Sequence, residues 1–166
     1  MSLEKLDKLN RALASEVIYL ASKRGVTIGC AESCTGGLIA GTLTSVPGSS
    51  DAFVGGVVSY WIAVKEAVLG VPAETIDAYG VVSAEVARAM ADGAARTLSC
   101  DYAVSTTGIA GPGGAEPGKP VGTVWFGLHT PAGTTTLLNT SGGSRDEVRL
   151  TAVRQALTLL RDGLAD

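Results

Sequence analysis

The chain has 166 residues, of which 46% are hydrophobic and 17% are charged, and its formal net charge is −3. This length supports one domain with a full core, and the absence of a basic stripe argues against nucleic acid as a partner. Three cysteines without framework spacing and a single histidine argue against a disulfide scaffold and a Cys/His zinc site.

In chain order, hydrophobic periodicity predicts helices that alternate with strands. The first helix has apolar residues at spacings of three and four from Leu3 to Leu20, and it ends near Gly25. The elements expected next are a strand at 26–31, a helix at 35–46, a strand at 53–60, a helix at 63–69, a helix at 83–98 and a strand at 102–107.

The last third of the chain predicts a hairpin and a long helix. Strands at 121–130 and 134–140 are joined by a Pro-Ala-Gly turn, and Ser144 with Glu147 forms a capping box at the start of the helix. Together the elements indicate an α/β fold, a three-layer α/β/α sandwich with a mixed sheet, in a single domain over residues 1–166. No signal peptide and no membrane span are expected, so we predict a cytoplasmic protein with reduced thiols.

A polar, glycine-rich stretch from Ala31 to Gly37 joins a predicted strand to a predicted helix. Ligands of open α/β sheets bind beyond the carboxyl ends of strands, and a helix start offers free N–H groups. Glycines at 36, 37 and 41 would each cost about 1 kcal/mol inside a helix, which a close backbone approach would explain. The stretch fits either a ligand-binding turn or a polar cap on a tightly packed helix, and it matches neither a P-loop nor a G-x-S-x-G elbow.

The next junction between a strand and a helix carries Tyr60 and Lys65. Apolar neighbours can desolvate such a lysine and lower its pKa until it acts as a base, although a surface lysine and a core tyrosine are the alternatives. His129 lies in a strand pattern far from the hydroxyl clusters, so a Ser-His-Asp triad is not expected and a hydroxyl nucleophile would need lysine. Cys34, beside Ser33, is a rival nucleophile without His-Asn partners.

Two later segments suit ligand binding. A hydroxyl-rich strand end, Ser105–Gly108, runs into a long Gly/Pro loop that reaches Pro120, which is typical of a ligand-facing rim but also of a solvated loop. Arg145 and Arg149 lie one turn apart at the start of the last helix. They form either a site for phosphate or carboxylate, or an ion pair with a nearby acid such as Glu32.

Four blocks of this sequence resemble the CinA carboxy-terminal domain family, which includes the PncC-type nicotinamide mononucleotide (NMN) deamidases. The blocks are AESCTGG at 31–37, TSVPGSS at 44–50, TGIAGPGG at 107–114 and KPVGTV at 119–124, in the order of the family. The resemblance runs from about Leu9 to Leu160. It implies hydrolysis of the carboxamide of NMN to nicotinate mononucleotide and ammonia, without a metal or other cofactor.

Carried over residue by residue, the resemblance implies catalytic roles for Ser33 as nucleophile and Lys65 as base, with Tyr60 and Thr107 in support. The substrate-binding residues that it implies are Glu32, Cys34, Thr35, Gly36, Gly37, Gly108, Gly111, Arg145 and Arg149. It also implies a homodimer or higher homo-oligomer, and in some members an additional amino-terminal domain, which we do not expect in this sequence.

The sequence departs from the family between Tyr60 and Lys65. The family usually has a small residue, asparagine, an acidic residue and alanine at these four positions, whereas this chain has Trp61-Ile62-Ala63-Val64. The loss of polar groups favours two alternatives to NMN hydrolysis: a nucleotide-binding or regulatory module without turnover, or an amidohydrolase with another small amide as substrate.

Overall fold

The computed structural model describes residues 1–166 and contains one five-stranded sheet and six α-helices. The strands are β1 (Ile28–Glu32), β2 (Phe53–Val58), β3 (Tyr102–Gly108), β4 (Thr123–Thr130) and β5 (Gly133–Thr140). The helices are α1 (Leu3–Arg24), α2 (Leu38–Thr44), α3 (Ile62–Leu69), α4 (Ala73–Tyr79), α5 (Ala84–Leu98) and α6 (Arg145–Ala165). A 3₁₀ turn at Ser49–Asp51 precedes β2.

The strand order in the sheet is β2-β1-β3-β4-β5. β1 is parallel to both β2 and β3, whereas β4 and β5 are antiparallel additions at one side. Glu32, the last residue of β1, lies beside Val58 of β2 and Thr106 of β3. The carboxyl ends of the three parallel strands therefore meet at one edge of the sheet, where ligands of such folds bind.

Helices cover both faces of the sheet. One apolar cluster joins α1, α2 and α6 to Ile28, Cys30 and Val104, and the other joins α3, α4 and α5 to Ala31 and Ala103. Consecutive residues of β1 and β3 thus enter opposite clusters, as the alternation of side chains along a strand requires. The three-layer α/β/α sandwich with a mixed sheet, predicted from the sequence, is confirmed.

Three local differences from the prediction have physical causes. α2 begins at Leu38 rather than at residue 35, because Gly36 and Gly37 have φ angles of 57° and 96° that no right-handed helix contains. The short helix α4 was not predicted, since Ile76 is its only buried residue and one residue makes no periodic pattern. β4 begins at Thr123 rather than at residue 121, directly after Gly122 with its φ of 92°.

The start of α6 matches its prediction. The Ser144 hydroxyl accepts from the Glu147 N–H, and the Glu147 carboxylate accepts from the Ser144 N–H at 2.7 Å. This capping box orients the first turn of α6, which carries Arg145. No helix of the structure is both long enough and apolar enough to span a membrane.

Candidate active site

A cleft of about 280 Å³ opens at the carboxyl ends of the parallel strands. It is bounded by the turn after β1, the end of β2, the loop before α5, the loop after β3 and the first turn of α6. The lining residues are Ser33, Cys34, Tyr60, Val81, Gly108, Ile109, Ala110, Gly111, Gly113, Gly114 and Arg145. Five segments that are distant in sequence thus enclose one cleft.

Ser33 and Lys65 meet at the floor of this region. The Nζ atom of Lys65 lies 2.9 Å from the Ser33 Oγ atom, and it also donates to the carbonyl oxygens of Ser59 at 2.6 Å and Tyr60 at 3.4 Å. Ser33 follows β1 and Lys65 lies in α3, and the parallel pairing of β1 with β2 brings these two segments together. The surface alternative for Lys65 is therefore wrong.

Burial changes the chemistry of Lys65. The side chain has 0% exposure and is the largest fully buried side chain in the protein. Desolvation lowers the pKa of Lys65 from 10.5 to about 8, because a dry environment disfavours the ammonium form. A neutral amine has two N–H donors and one lone pair; the two carbonyl oxygens can take the donors, which leaves the lone pair for the Ser33 hydroxyl proton.

The turn after β1 leaves two backbone donors free. The Gly36 N–H donates to the Ser33 carbonyl at 3.1 Å, and the Gly37 N–H donates to the Glu32 carboxylate at 3.1 Å. The N–H groups of Cys34 and Thr35 donate to no oxygen of the protein. The candidate oxyanion donors near Ser33 are therefore these two groups rather than those of the two glycines.

Glu32 does not reach the cleft. Its carboxylate is fully buried and accepts from the N–H groups of Gly37, Ile39 and Ala40 at 2.9–3.1 Å. The Cys30 thiol lies 3.6 Å from the same carboxylate. The Glu32 side chain was expected to bind substrate. It instead caps the amino terminus of α2 by accepting from N–H groups that have no partner within the helix.

The two arginines of α6 have different positions. Arg145 lines the cleft, donates to the Gly111 carbonyl at 2.7 Å and lies 3.4 Å from the Tyr60 hydroxyl. Arg149 does not line the cleft; it donates to the carbonyl oxygens of Cys34 and Thr35, each at 3.1 Å. Neither guanidinium pairs with Glu32, and the one carboxylate near them is that of Asp146, 3.9 Å from the Nη1 atom of Arg149.

Several other expected site residues lie behind the cleft wall. The Thr107 hydroxyl donates to the Val81 carbonyl at 2.8 Å, and the Thr35 hydroxyl hydrogen-bonds the Thr106 hydroxyl at 2.9 Å. Thr35, Gly36, Gly37 and Thr107 do not line the cleft, whereas Gly108 and Gly111 do. The hydroxyls of these threonines join strands and loops, so their side chains position the walls of the cleft rather than touch its contents.

Cys34 lines the cleft as a protonated thiol. Burial raises the pKa of Cys34 to about 11, so a thiolate is scarce near neutral pH. The neighbouring Ser33 has the amine of Lys65 within hydrogen-bond distance. Of the two adjacent candidates, the serine is the one with a base within reach.

The structure adds further residues to the site, two of them from the Gly/Pro loop that was expected to face a ligand. Ser59 supplies the nearest carbonyl to Lys65, Val81 lines the cleft, and Gly113 and Gly114 extend the glycine loop around it. The N–H groups of Gly111, Gly113 and Gly114 donate to no acceptor in the protein. Of these residues, only the glycines were recognisable in the sequence, as part of the Gly/Pro loop. Ser59 was not, because a main-chain carbonyl acceptor can belong to any residue type.

His129 lies away from this site. Its Nδ1 atom contacts the Asp92 carboxylate at 2.8 Å and the Thr134 hydroxyl at 3.0 Å, between α5 and the hairpin. Both contacts use the same ring nitrogen, so they do not form a relay of the triad type. This position agrees with the expectation that His129 does not form a Ser-His-Asp triad.

The residues that depart from the family pattern also lie outside the cleft. Trp61 is 74% exposed, and Ile62 and Ala63 are exposed at the start of α3. None of Trp61–Val64 is among the lining residues, although Tyr60 directly before them is. The change therefore alters the rim and leaves the Ser33–Lys65 contact in place.

Comparison with known proteins gives consistent results. The family model described as CinA C-terminal domain matches residues 10–164. A CinA-like protein of Anaeromyxobacter sp. (strain K) is 50% identical over 145 residues, which cover 87% of this chain and 36% of that protein. A CinA-like protein of Acidobacterium capsulatum is 45% identical over 145 residues, which cover 87% of this chain and 35% of that protein. This chain thus spans about a third of the length of these curated relatives.

Solved structures agree on the fold. The competence/damage inducible protein CihA of Agrobacterium tumefaciens superposes with a TM-score of 0.89 at 40% identity, covering 95% of this chain and 96% of that chain. The competence damage-inducible protein A (ComA) of Klebsiella pneumoniae superposes with a TM-score of 0.91 at 35% identity, covering 94% of this chain and 97% of that chain. The fold, the sequence blocks and these matches agree, and the chain belongs to the CinA C-terminal domain family.

Proposed function

We propose that the protein is a metal-independent amidohydrolase that converts NMN to nicotinate mononucleotide and ammonia. The observation that supports this best is the 2.9 Å contact between the Ser33 Oγ atom and the fully buried amine of Lys65. A pKa of about 8 leaves about a tenth of such an amine neutral at pH 7, and serine with a lysine base is an established arrangement for acyl transfer.

The proposed chemistry has two halves. Neutral Lys65 takes the proton of the Ser33 hydroxyl while the oxygen attacks the carboxamide carbon, and the N–H groups of Cys34 and Thr35 stabilise the oxyanion. The Lys65 ammonium then protonates the amide nitrogen as the carbon–nitrogen bond breaks, and ammonia departs. Water attacks the acyl-enzyme, Lys65 takes a proton from that water, and the carboxylate product leaves as the proton returns to Ser33.

The proposed phosphate site lies at the other end of the cleft. Arg145 supplies a cation there, and the free N–H groups of Gly111, Gly113 and Gly114 supply uncharged donors. Gly111 and Gly114 have positive φ angles of 82° and 88°, a conformation that turns successive backbone N–H groups towards an anion. Anion-binding donors beside an amide-cleaving pair favour a phosphorylated amide such as NMN.

The test measures ammonia released from NMN by purified wild-type protein, Ser33→Ala and Lys65→Met. We expect Ser33→Ala to lower kcat by at least about 1,000-fold and Lys65→Met by at least about 100-fold, since one removes the nucleophile and the other its base. Lys23→Met is the matched control, because Lys23 lies in the last turn of α1 and outside the cleft. Wild-type rates in both site variants would contradict the proposal.

The same samples separate turnover from binding alone. Calorimetry that shows NMN binding by wild-type protein without ammonia release would favour the nucleotide-binding module. Release of ammonia from a different small amide, but not from NMN, would favour the other alternative. No observation in the structure favours either, because Lys65 contacts Ser33 and the Trp61–Val64 segment lies outside the cleft.

Two further expectations belong to this proposal. A homodimer is supported by β2, an edge strand with exposed Val54 and Val58 and no charged residue from Ala52 to Val64. A cytoplasmic location is supported by the three cysteines, which are all free.

A further inference from the structure

Arg149 contacts the segment that follows the proposed nucleophile, but it does not reach the cleft. We infer that Arg149 is a positioning residue that holds the Ser33–Gly36 turn, so that the N–H groups of Cys34 and Thr35 stay free for the oxyanion. This inference rests on the proposed function in one respect, because it assumes that Ser33 attacks a carbonyl carbon.

The contact is bidentate and shorter than the one ion pair that the guanidinium makes. The Nε and Nη2 atoms of Arg149 each donate at 3.1 Å, to the carbonyl oxygens of Cys34 and Thr35. The nearest carboxylate, that of Asp146, is 3.9 Å from Nη1 and is largely exposed. A planar guanidinium fixes two acceptors at once, which a lysine ammonium on a flexible chain does less well.

Peptide geometry links these carbonyls to the free donors. In a trans peptide the C=O and the following N–H point in opposite directions. Holding the Cys34 carbonyl towards Arg149 therefore turns the Thr35 N–H to the other side of the turn. The Ser33 carbonyl accepts from the Gly36 N–H, which fixes the Cys34 N–H in the same way. Neither N–H group donates to a backbone oxygen of the protein.

The opposite end of the segment is also held. The Glu32 carboxylate takes the N–H groups of Gly37, Ile39 and Ala40, and the Glu32 carbonyl accepts from the Ser59 N–H at 2.8 Å. The carboxylate thus fixes the start of α2, and the main chain fixes the end of β2 beside Lys65. Arg149 adds a further contact, to the carbonyl oxygens of Cys34 and Thr35 within the turn.

A close approach explains why the turn contains glycine at position 36. A Cβ atom placed on Gly36 would lie 3.3 Å from the Nη2 atom of Arg149, and the φ angle of 57° is left-handed. The guanidinium therefore packs against the turn itself. A residue that bound the substrate phosphate would need its N–H groups on the cleft side, where Arg145 has them.

The experiment uses a probe without a phosphate. With p-nitrophenyl acetate, the Ser33 Oγ atom bonds to the acetyl carbon, the ester bond to p-nitrophenolate breaks, and the serine proton passes to Lys65. Acetylation of the Ser33 peptide is followed by mass spectrometry, with Ser33→Ala as the blank. Arg149→Met, Arg149→Lys and the control Arg161→Met are compared, since Arg161 lies on the same helix but contacts Glu16 and Asp162. Circular dichroism confirms that each variant is folded at the assay temperature.

We expect Arg149→Met to acetylate Ser33 at least about tenfold more slowly, Arg149→Lys to recover part of this loss, and Arg161→Met to match wild type. With NMN, Arg149→Met should lower kcat at an unchanged KM, whereas Arg145→Met should raise KM. Wild-type acetylation by folded Arg149→Met, or a change in the KM for NMN alone, would overturn the inference.

Failure of the proposed function gives a different pattern. Protein that releases no ammonia from NMN, but whose Ser33 acetylation depends on Arg149 as expected, would refute the proposed substrate and support the positioning role. A wild-type Ser33 that the ester does not acetylate would overturn the positioning role as well. If Arg149→Met does not fold, the folded Arg149→Lys variant decides, because wild-type acetylation and wild-type kcat in it would contradict a bidentate requirement.

Discussion

At the scale of single residues, the proposed chemistry depends on the protonation of Lys65. A fully buried ammonium is costly, and the hydrogen-bond partners of this amine are two carbonyl oxygens and one hydroxyl, none of them charged. The sequence indicated the lysine through its apolar neighbours. It did not indicate the acceptors, because the Ser59 and Tyr60 carbonyls belong to the main chain and leave no mark in the choice of side chain.

The protonation of Lys65 predicts a pH dependence. Only the neutral amine accepts the serine proton, so kcat/KM should rise with pH and reach half its plateau near the Lys65 pKa of about 8. The Cys34 thiol, with its pKa raised to about 11, should not change the pH profile of kcat/KM below pH 9. Rates of NMN hydrolysis between pH 6 and 9.5 test this. A profile that is flat across this range would show that no group with such a pKa controls the free enzyme.

At the scale of elements, the turn between β1 and α2 is the part that the sequence described least well. The helical periodicity extended to residue 35, yet Gly36 and Gly37 adopt left-handed conformations and the helix starts at Leu38. The close approach expected at the glycines exists at Gly36 but not at Gly41, where a Cβ atom would have no neighbouring atom within 4 Å. The two glycines look alike in the sequence, but a close approach by another side chain accounts for glycine only at position 36.

This difference provides a matched pair of substitutions. Gly36→Ala should lower the free energy of unfolding by about 1–2 kcal/mol, because the left-handed φ angle is unfavourable for alanine. It should also lower kcat about tenfold by displacing the turn. Gly41→Ala, inside α2, should raise stability by up to about 1 kcal/mol and leave kcat unchanged. Urea unfolding and the ammonia assay measure both quantities, and equal behaviour of the two variants would refute this distinction.

At the scale of the whole molecule, the sheet topology determines which residues meet. Two parallel crossovers bring the ends of β1, β2 and β3 to one edge, and the loop after β3 and the start of α6 close the cleft around them. The alternation of elements predicted the layers, and the resemblance to a known family indicated Ser33, Lys65 and Arg145. Neither distinguished Arg145 from Arg149, because one helical turn of separation decides which guanidinium reaches the cleft and which reaches the turn behind it.

The most direct measurement is the titration of the Lys65 amine in the folded protein. In protein labelled with carbon-13 at the lysine ε-methylene, the NMR signal that disappears in Lys65→Met identifies this residue. We predict that its chemical shift changes with a midpoint at about pH 8. A midpoint at the ordinary lysine value of 10.5 would mean that the amine is charged throughout the working range, and that it is not the base for Ser33.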